Sequence, residues 1–344
     1  MDNTKCYAKL CSKIGLAMIL FYSFFTLSTV AVASVEELFS LEILSQNGAK
    51  LVVEIIVELC YAAAYFLSFS AAAFILRKMC KNLPCHRPIY TSFNIKKWVL
   101  PAILAVIAIN FTLSLVNNVM ISSLSPSLVS QLIEPSEMEG KPLYEIVIFF
   151  FLSIISTAVV PALCEEYLFR GGVLTEMLPF GKSTAIFASS FLFGLMHQNP
   201  FQFLYTMIMG IAIGYIYVKS KSIWACVLLH FLNNLVTVIE EYIPLITNEE
   251  WLVYIFDLLI IFGGAAVIII FVKKDKQPSI EENGSFGFIC ERGMDSEELV
   301  LEIPYKQKIR RFFSRPIIIF IVICMLSIVA YVLSLFGLPI ALLG

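Results

Sequence analysis

Three short polar elements interrupt otherwise apolar sequence: Glu165-Glu166-Tyr167-Leu168-Phe169-Arg170, then Phe193 with His197 at i+4, then His230 with Asn234 at i+4. A carboxylate and an imidazole that converge on one water can make it nucleophilic, while a second imidazole and a carboxamide can donate to a developing oxyanion. Such a set suits peptide hydrolysis. The same glutamate and two histidines, Glu165, His197 and His230, could instead hold zinc with a fourth position open to water, although HExxH is absent. Serine hydrolysis is poorly supported, because no GxSxG occurs and its candidate partners fall on separate helices.

Helical geometry puts Glu166 and Arg170 on one face as an i,i+4 pair and turns Glu165 about 100° away from them. One carboxylate is then paired and the other free, which suits Glu165 to act as a general base. His230 and Asn234 share a face about 6 Å apart, as do Phe193 and His197. The third histidine of the chain, His86, lies in a polar loop.

The elements that must position these residues are set by composition. The chain has 344 residues, 59% hydrophobic and 15% charged, with a mean hydropathy of +0.86, whereas soluble domains run near 45–50% apolar and about 25% charged. An all-α, polytopic membrane helix bundle follows. Disorder and collagen-like architecture are excluded by 29 Phe against 16 Gly and 14 Pro. With 24 Lys plus Arg against 26 Asp plus Glu the net charge is −2, so no basic field exists to hold nucleic acid. Nine cysteines without a CxxC pair argue against a disulfide framework, and Cys80, Cys85 and His86 lack the second ligand pair a zinc site needs.

About 20 apolar residues are needed per span, and nine runs near that length occur, around 14–33, 51–76, 98–116, 145–164, 183–197, 201–218, 222–239, 251–272 and 316–336. The first follows Lys5, Lys9 and Lys13 and ends in Ala31-Val32-Ala33, but it is long for a signal peptide and is read as an uncleaved helix. Threading nine helices gathers Lys5, Arg77, Lys78, Lys96, Lys219, Lys221 and Arg310 on one side. Glu36, Glu134, Glu137, Glu240 and Glu250 fall on the other. The positive-inside rule then predicts a cytoplasmic N-terminus and an external C-terminus.

The expected organisation is N-terminal helices with a cytoplasmic loop over 1–140, a catalytic core over 141–245, and an eighth helix over 246–272. A polar cytoplasmic loop over 273–315 and a last helix over 316–344 complete it. Within that loop Leu299, Leu301 and Ile303 alternate as a short strand would. Glu54 and Glu58 read as a wet helix end, and Asn110 and Asp257 as hydrogen bonders inside the bundle. One geometric difficulty arises: threading leaves Glu165 near the cytoplasmic end of helix four and carries His197 outward on helix five. Convergence requires helix four to extend to about Met177, or helix five to be tilted or partly inserted.

In order and spacing, the elements Glu165-Glu166-x-x-x-Arg170, Phe193-x-x-x-His197 and His230-x-x-x-Asn234 resemble the CPBP family of intramembrane proteases, which includes type II CAAX prenyl endopeptidases and bacteriocin-immunity proteins. The resemblance spans about residues 145–240. It implies that Glu165 and His197 activate the hydrolytic water, that His230 and Asn234 form the oxyanion site, and that Glu166, Arg170 and Phe193 support them. It further implies an eight-helix core to which the last helix is an addition, and membrane-associated or lipidated protein substrates in the cell membrane of a bacterium. Both metalloprotease and metal-free mechanisms are entertained for such proteins; the metal-free one is preferred here, with zinc on Glu165, His197 and His230 as its alternative. A non-catalytic immunity or regulatory partner with the same fold is the competing function, and a proton-coupled transporter is weaker because no inverted repeat is visible.

Overall fold

The computed structural model describes residues 2–42, 47–93, 95–124, 138–249, 251–274 and 301–335. The segment 275–300, with Leu299 of the expected strand, lies outside the described residues, as do the acidic-loop residues Glu134, Glu137 and Glu250. Ten helices are described: α1 (Asn3–Glu42), α2 (Asn47–Cys80), α3 (Val99–Leu124), α4 (Leu143–Phe180), α5 (Lys182–Met196), α6 (Pro200–Ser220), α7 (Ile223–Thr247), α8 (Trp251–Lys274), α9 (Tyr305–Phe312) and α10 (Arg315–Leu335). Eight are long and apolar enough to cross a membrane. The other two are α5 and the short polar α9. With 15 residues, α5 is about 22 Å long at 1.5 Å per residue, short of the roughly 30 Å hydrocarbon layer.

The difficulty over Glu165 and His197 is resolved by the length of α4. Its 38 residues run unbroken past Pro161 and the Gly171-Gly172 pair to Phe180. Continuity is kept by widening the helix twice, into π-helical turns at Ile154–Val159 and Tyr167–Leu174. The carbonyls of the second widened stretch find side-chain donors: the Thr175 hydroxyl donates to Arg170 O at 2.7 Å and the Ser189 hydroxyl to Phe169 O at 2.9 Å. The chain then reverses at Gly181, whose φ of 114° and ψ of 133° belong to a region open almost only to glycine. Glu165 lies fifteen residues before Phe180 and His197 fifteen after Lys182, so the antiparallel pair brings them to the same depth.

From His197 the chain turns back through Gln198 and Asn199 into α6, which packs antiparallel on α5. Close approach is allowed by glycines: a Cβ on Gly194 would stand 2.9 Å from Phe203 O, and one on Gly210 3.0 Å from the Ser190 Cβ. Both outer ends of this hairpin lie at basic residues, Lys182 and Lys219, and its tip carries His197. Around it, α1 buries Cys6, Tyr7, Leu10, Ile14, Met18 and Phe21 in the core. Its Gly15 lies where any Cβ would overlap the backbone of Pro316 and Ile317 at the start of α10. The polar segment before α10 departs from expectation. Leu301 and Ile303 form no strand, and residues 305–312, read as loop, form the helix α9. Leu301 N–H donates to Pro179 O at 2.7 Å and Lys308 to Phe180 O at 2.5 Å, fastening the α4–α5 reversal from below.

A Gly181→Ala variant is expected to lose about 1–3 kcal/mol of stability, the cost of holding a side chain in that backbone region. Gly263→Ala, inside α8 where a Cβ would meet nothing within 4 Å, should gain up to about 1 kcal/mol, as alanine does over glycine in a helix interior. Thermal unfolding in detergent compares the two, and equal stability would contradict the tight reversal.

Candidate active site

Two adjacent carboxylates sit at mid-length of α4, both withdrawn from solvent: Glu165 is 3% exposed and Glu166 fully buried. Glu166 Oε1 accepts from Arg170 Nη1 at 2.8 Å and from His230 Nδ1 at 2.8 Å. The guanidinium, itself fully buried, also donates to the Gly210 carbonyl at 3.1 Å and lies 4.8 Å from the Phe193 ring centroid. Glu166 and Arg170 therefore pair as their spacing predicts, and the pairing reaches on to a histidine that spacing alone does not connect.

Glu165 is not free, contrary to the sequence-based expectation. Its Oε1 accepts the hydroxyl of Tyr65 from α2. The other oxygen, Oε2, is buried without a hydrogen-bond partner among the described residues and faces His230 Nε2 at 3.9 Å. Tyr65 carries no signal in the sequence: it is one aromatic in an apolar run, and only the packing of α2 against α4 shows what its hydroxyl does.

His197 caps the C-terminal end of α5. Its own N–H bonds to Gly194 O at 3.3 Å, releasing the Phe193 carbonyl, which the ring Nδ1 reaches at 2.9 Å. A carbonyl only accepts, so Nδ1 bears the proton and neutral His197 presents an unprotonated Nε2. Phe193 stands between the two imidazoles, edge-on to His197 at 5.1 Å and to His230 at 6.0 Å between centroids.

Asn234 is held by a defect that the helix makes for itself. Pro161 has no N–H to give to the carbonyl four residues earlier, that of Thr157, and Asn234 Nδ2 donates to this oxygen at 3.0 Å. Behind Asn234 stand Asn233 and Asn110, joined by carboxamide hydrogen bonds of 3.3 and 3.0 Å. Asn110 and Asp257, read as bundle-interior hydrogen bonders, both line the same space as the three predicted elements. That space is a cavity of about 320 Å³ bordered by Glu165, Phe193, His197, His230 and Asn234. Glu54, expected at a wet helix end, pairs there with Lys141 at 2.7 Å, far from the cavity lining.

The zinc alternative has no assembled ligand set in this arrangement. Among the described residues no three His, Cys, Asp or Glu side chains form a group that could hold a metal ion. His230 Nδ1 is held by Glu166, His197 Nδ1 by a carbonyl and Glu165 Oε1 by Tyr65, contacts that orient the opposite atoms, the two Nε2 and Glu165 Oε2, for a metal as much as for a water.

In comparison with known proteins, residues 147–236 match the family profile described as type II CAAX prenyl endopeptidase Rce1-like. No curated protein and no solved structure matches the chain. The matched residues hold all three polar elements, together with the carbonyl of Thr157 and the hairpin tip that carries His197. With eight helices able to cross a bilayer, the chain is an integral membrane protein whose residues 147–236 are similar to the type II CAAX prenyl endopeptidase Rce1-like family.

Proposed function

We propose that the chain is an intramembrane endopeptidase that cleaves membrane-associated or lipidated, CAAX-like protein substrates with a water activated by Glu165 and His197. The observation that carries this reading is the unpartnered Oε2 of Glu165, buried at the edge of a cavity that His197, His230 and Asn234 also line. A carboxylate oxygen left without a donor inside a bundle is costly, and a water seated there would satisfy it.

In this mechanism the water oxygen attacks the scissile carbonyl carbon as its proton passes to Glu165, with Nε2 of His197 accepting the second hydrogen as a hydrogen bond. The negative charge moves to the carbonyl oxygen. Glu165 then gives its proton to the departing nitrogen as the C–N bond breaks, releasing a carboxylic acid and an amine, which settle as carboxylate and ammonium when the acid's proton passes to the amine. His230 and Asn234 serve the oxyanion. Glu165, Glu166 and Arg170 together leave one negative charge, which a proton on both nitrogens of His230 balances, and the imidazolium so formed directs Nε2–H toward the cavity. Asn234 keeps one amide hydrogen for Thr157 O and has a second to offer. Glu166, Arg170 and Phe193 act as positioning residues.

A second cavity of about 290 Å³ favours a substrate with a lipid or other apolar group. It is lined by Phe21, Phe25, Tyr65, Phe69 and Met196 and reaches His197 from the α1–α2 side. Its aromatic walls would bury such a group beside the reacting carbonyl. We place the N-terminus in the cytoplasm and the C-terminus outside, because the basic segments gather at one end of the bundle. A C-terminal phosphatase fusion should then be active in cells, and a silent fusion of normal abundance would reverse the orientation.

Purified Glu165→Gln protein, tested on a quenched fluorescent prenylated peptide, is expected to lose about 10²–10⁴-fold in turnover, the range of a lost general base, with unchanged thermal unfolding. Tyr65→Phe, which removes the hydrogen bond described to that carboxylate, should lose less. Full activity of Glu165→Gln would overturn the assignment. Activity of the wild type is expected to survive chelation, with elemental analysis finding no stoichiometric zinc; zinc lost together with activity would restore the metalloenzyme alternative.

A further inference from the structure

The catalytic cavity extends well past the residues that the proposed hydrolysis uses. On α7 a polar stripe runs along one face through His230, Asn233, Thr237 and Glu240, all lining the cavity. Ten residues of helix separate its ends by about 15 Å. Asn110 from α3 meets this wall at Asn233, and Asp257 from α8 lines the same cavity.

The direction of the carboxamides along this wall is set from one end. Thr157 O can only accept, so Asn234 must donate its Nδ2 there. Asn234 Oδ1 then takes Nδ2 of Asn233, and Asn233 Oδ1 takes Nδ2 of Asn110. The relay ends on Asn110 Oδ1, an acceptor without a partner in a side chain only 8% exposed. Asp257 Oδ1 is likewise buried and unpartnered. Glu240 and Asp257 both line this cavity. Neither has a cationic partner among the described residues. Three acceptor groups on three helices thus line one space, with no donor hydrogen-bonded to Asn110 Oδ1 or Asp257 Oδ1 among the described residues. In a bilayer interior such acids are expensive unless paired. A ligand rich in N–H donors and positive charge would satisfy all three.

We propose that Asn110, Glu240 and Asp257 form a subsite for a cationic side chain, the ammonium of a lysine or guanidinium of an arginine, on the peptide that occupies the cavity. Along α7 the subsite runs from Asn233, about 5 Å from His230 and holding Asn110, to Glu240, about 15 Å away, which puts the basic residue about one to four residues of extended chain from the cleaved bond. That the occupant is a peptide rests on the protease reading; the acceptor-only character of the subsite does not.

The test is a binding measurement on the full chain in phosphatidylcholine nanodiscs, which contain no primary ammonium. Fluorescein-labelled apolar peptides of one length carry lysine, or its neutral isostere norleucine, at each position in turn, and fluorescence anisotropy gives the affinities. One register of lysine is expected to bind about tenfold or more tightly than its norleucine twin, as a charge-assisted hydrogen bond allows. Glu240→Gln with Asp257→Asn should abolish that preference and leave norleucine binding unchanged. Equal binding of the twins at every position in the wild type, binding of neither, or a preference that survives the double substitution would overturn the subsite. The wild-type comparison decides the matter even if the double variant does not fold. Cleavage is read separately: discrimination without cleavage would keep the subsite and sink the protease reading, and cleavage without discrimination the reverse.

Discussion

Two neighbouring carboxylates held inside an apolar bundle are the constraint around which the rest of this structure is arranged. Removing an ion from water costs several kcal/mol even after relaxation, so a buried carboxylate persists only with charged or hydrogen-bonding partners around it. Glu166 meets this demand with a fully buried arginine and a histidine on one oxygen. The arginine is stabilised in turn by a backbone carbonyl from α6 and an aromatic face from α5. Glu165, one residue before it, receives a single phenol from α2 and keeps an oxygen in reserve. The pair therefore draws α2, α5, α6 and α7 onto α4. Each acid keeps one oxygen without a hydrogen-bond partner among the described residues, but of the two only Glu165 lines the cavity.

The same economy appears in the backbone. Pro161 removes a donor from α4, the helix widens before it, and the exposed carbonyl becomes the anchor that orients Asn234 and, through it, Asn233 and Asn110. The widened turn at Tyr167–Leu174 likewise leaves carbonyls that hydroxyls from Thr175 and Ser189 satisfy. Departures from regular α geometry are frequent at functional sites. Here they turn one continuous helix into a frame with specified hydrogen-bond vacancies.

Much of this was legible in the residues. Apolar runs show the membrane helices because the bilayer demands long stretches without charge, and i,i+4 spacing shows which of Glu166, Arg170, Phe193, His197, His230 and Asn234 share a face. Less visible was anything that depends on two helices meeting. Tyr65 looks like any aromatic in a span, and the bond from Glu166 to His230 crosses between α4 and α7. The common depth of Glu165 and His197 required knowing that α4 survives Pro161 and a glycine pair, which local propensity argues against. Helix α9 escaped notice because eight mostly polar residues offer no membrane signal and are ordered by contacts with the α4–α5 reversal.

The central claim is that Glu165, His197 and His230 converge on one activated water. An experimental structure of the protein in lipid, at a resolution that places solvent, tests it most directly. One ordered water within about 3.2 Å of both Glu165 Oε2 and His197 Nε2, with His230 Nε2 on the same cavity wall, is the expected result. Density for a metal ion bound by those three side chains, or a separation too great for one solvent molecule to touch both Glu165 and His197, would contradict it.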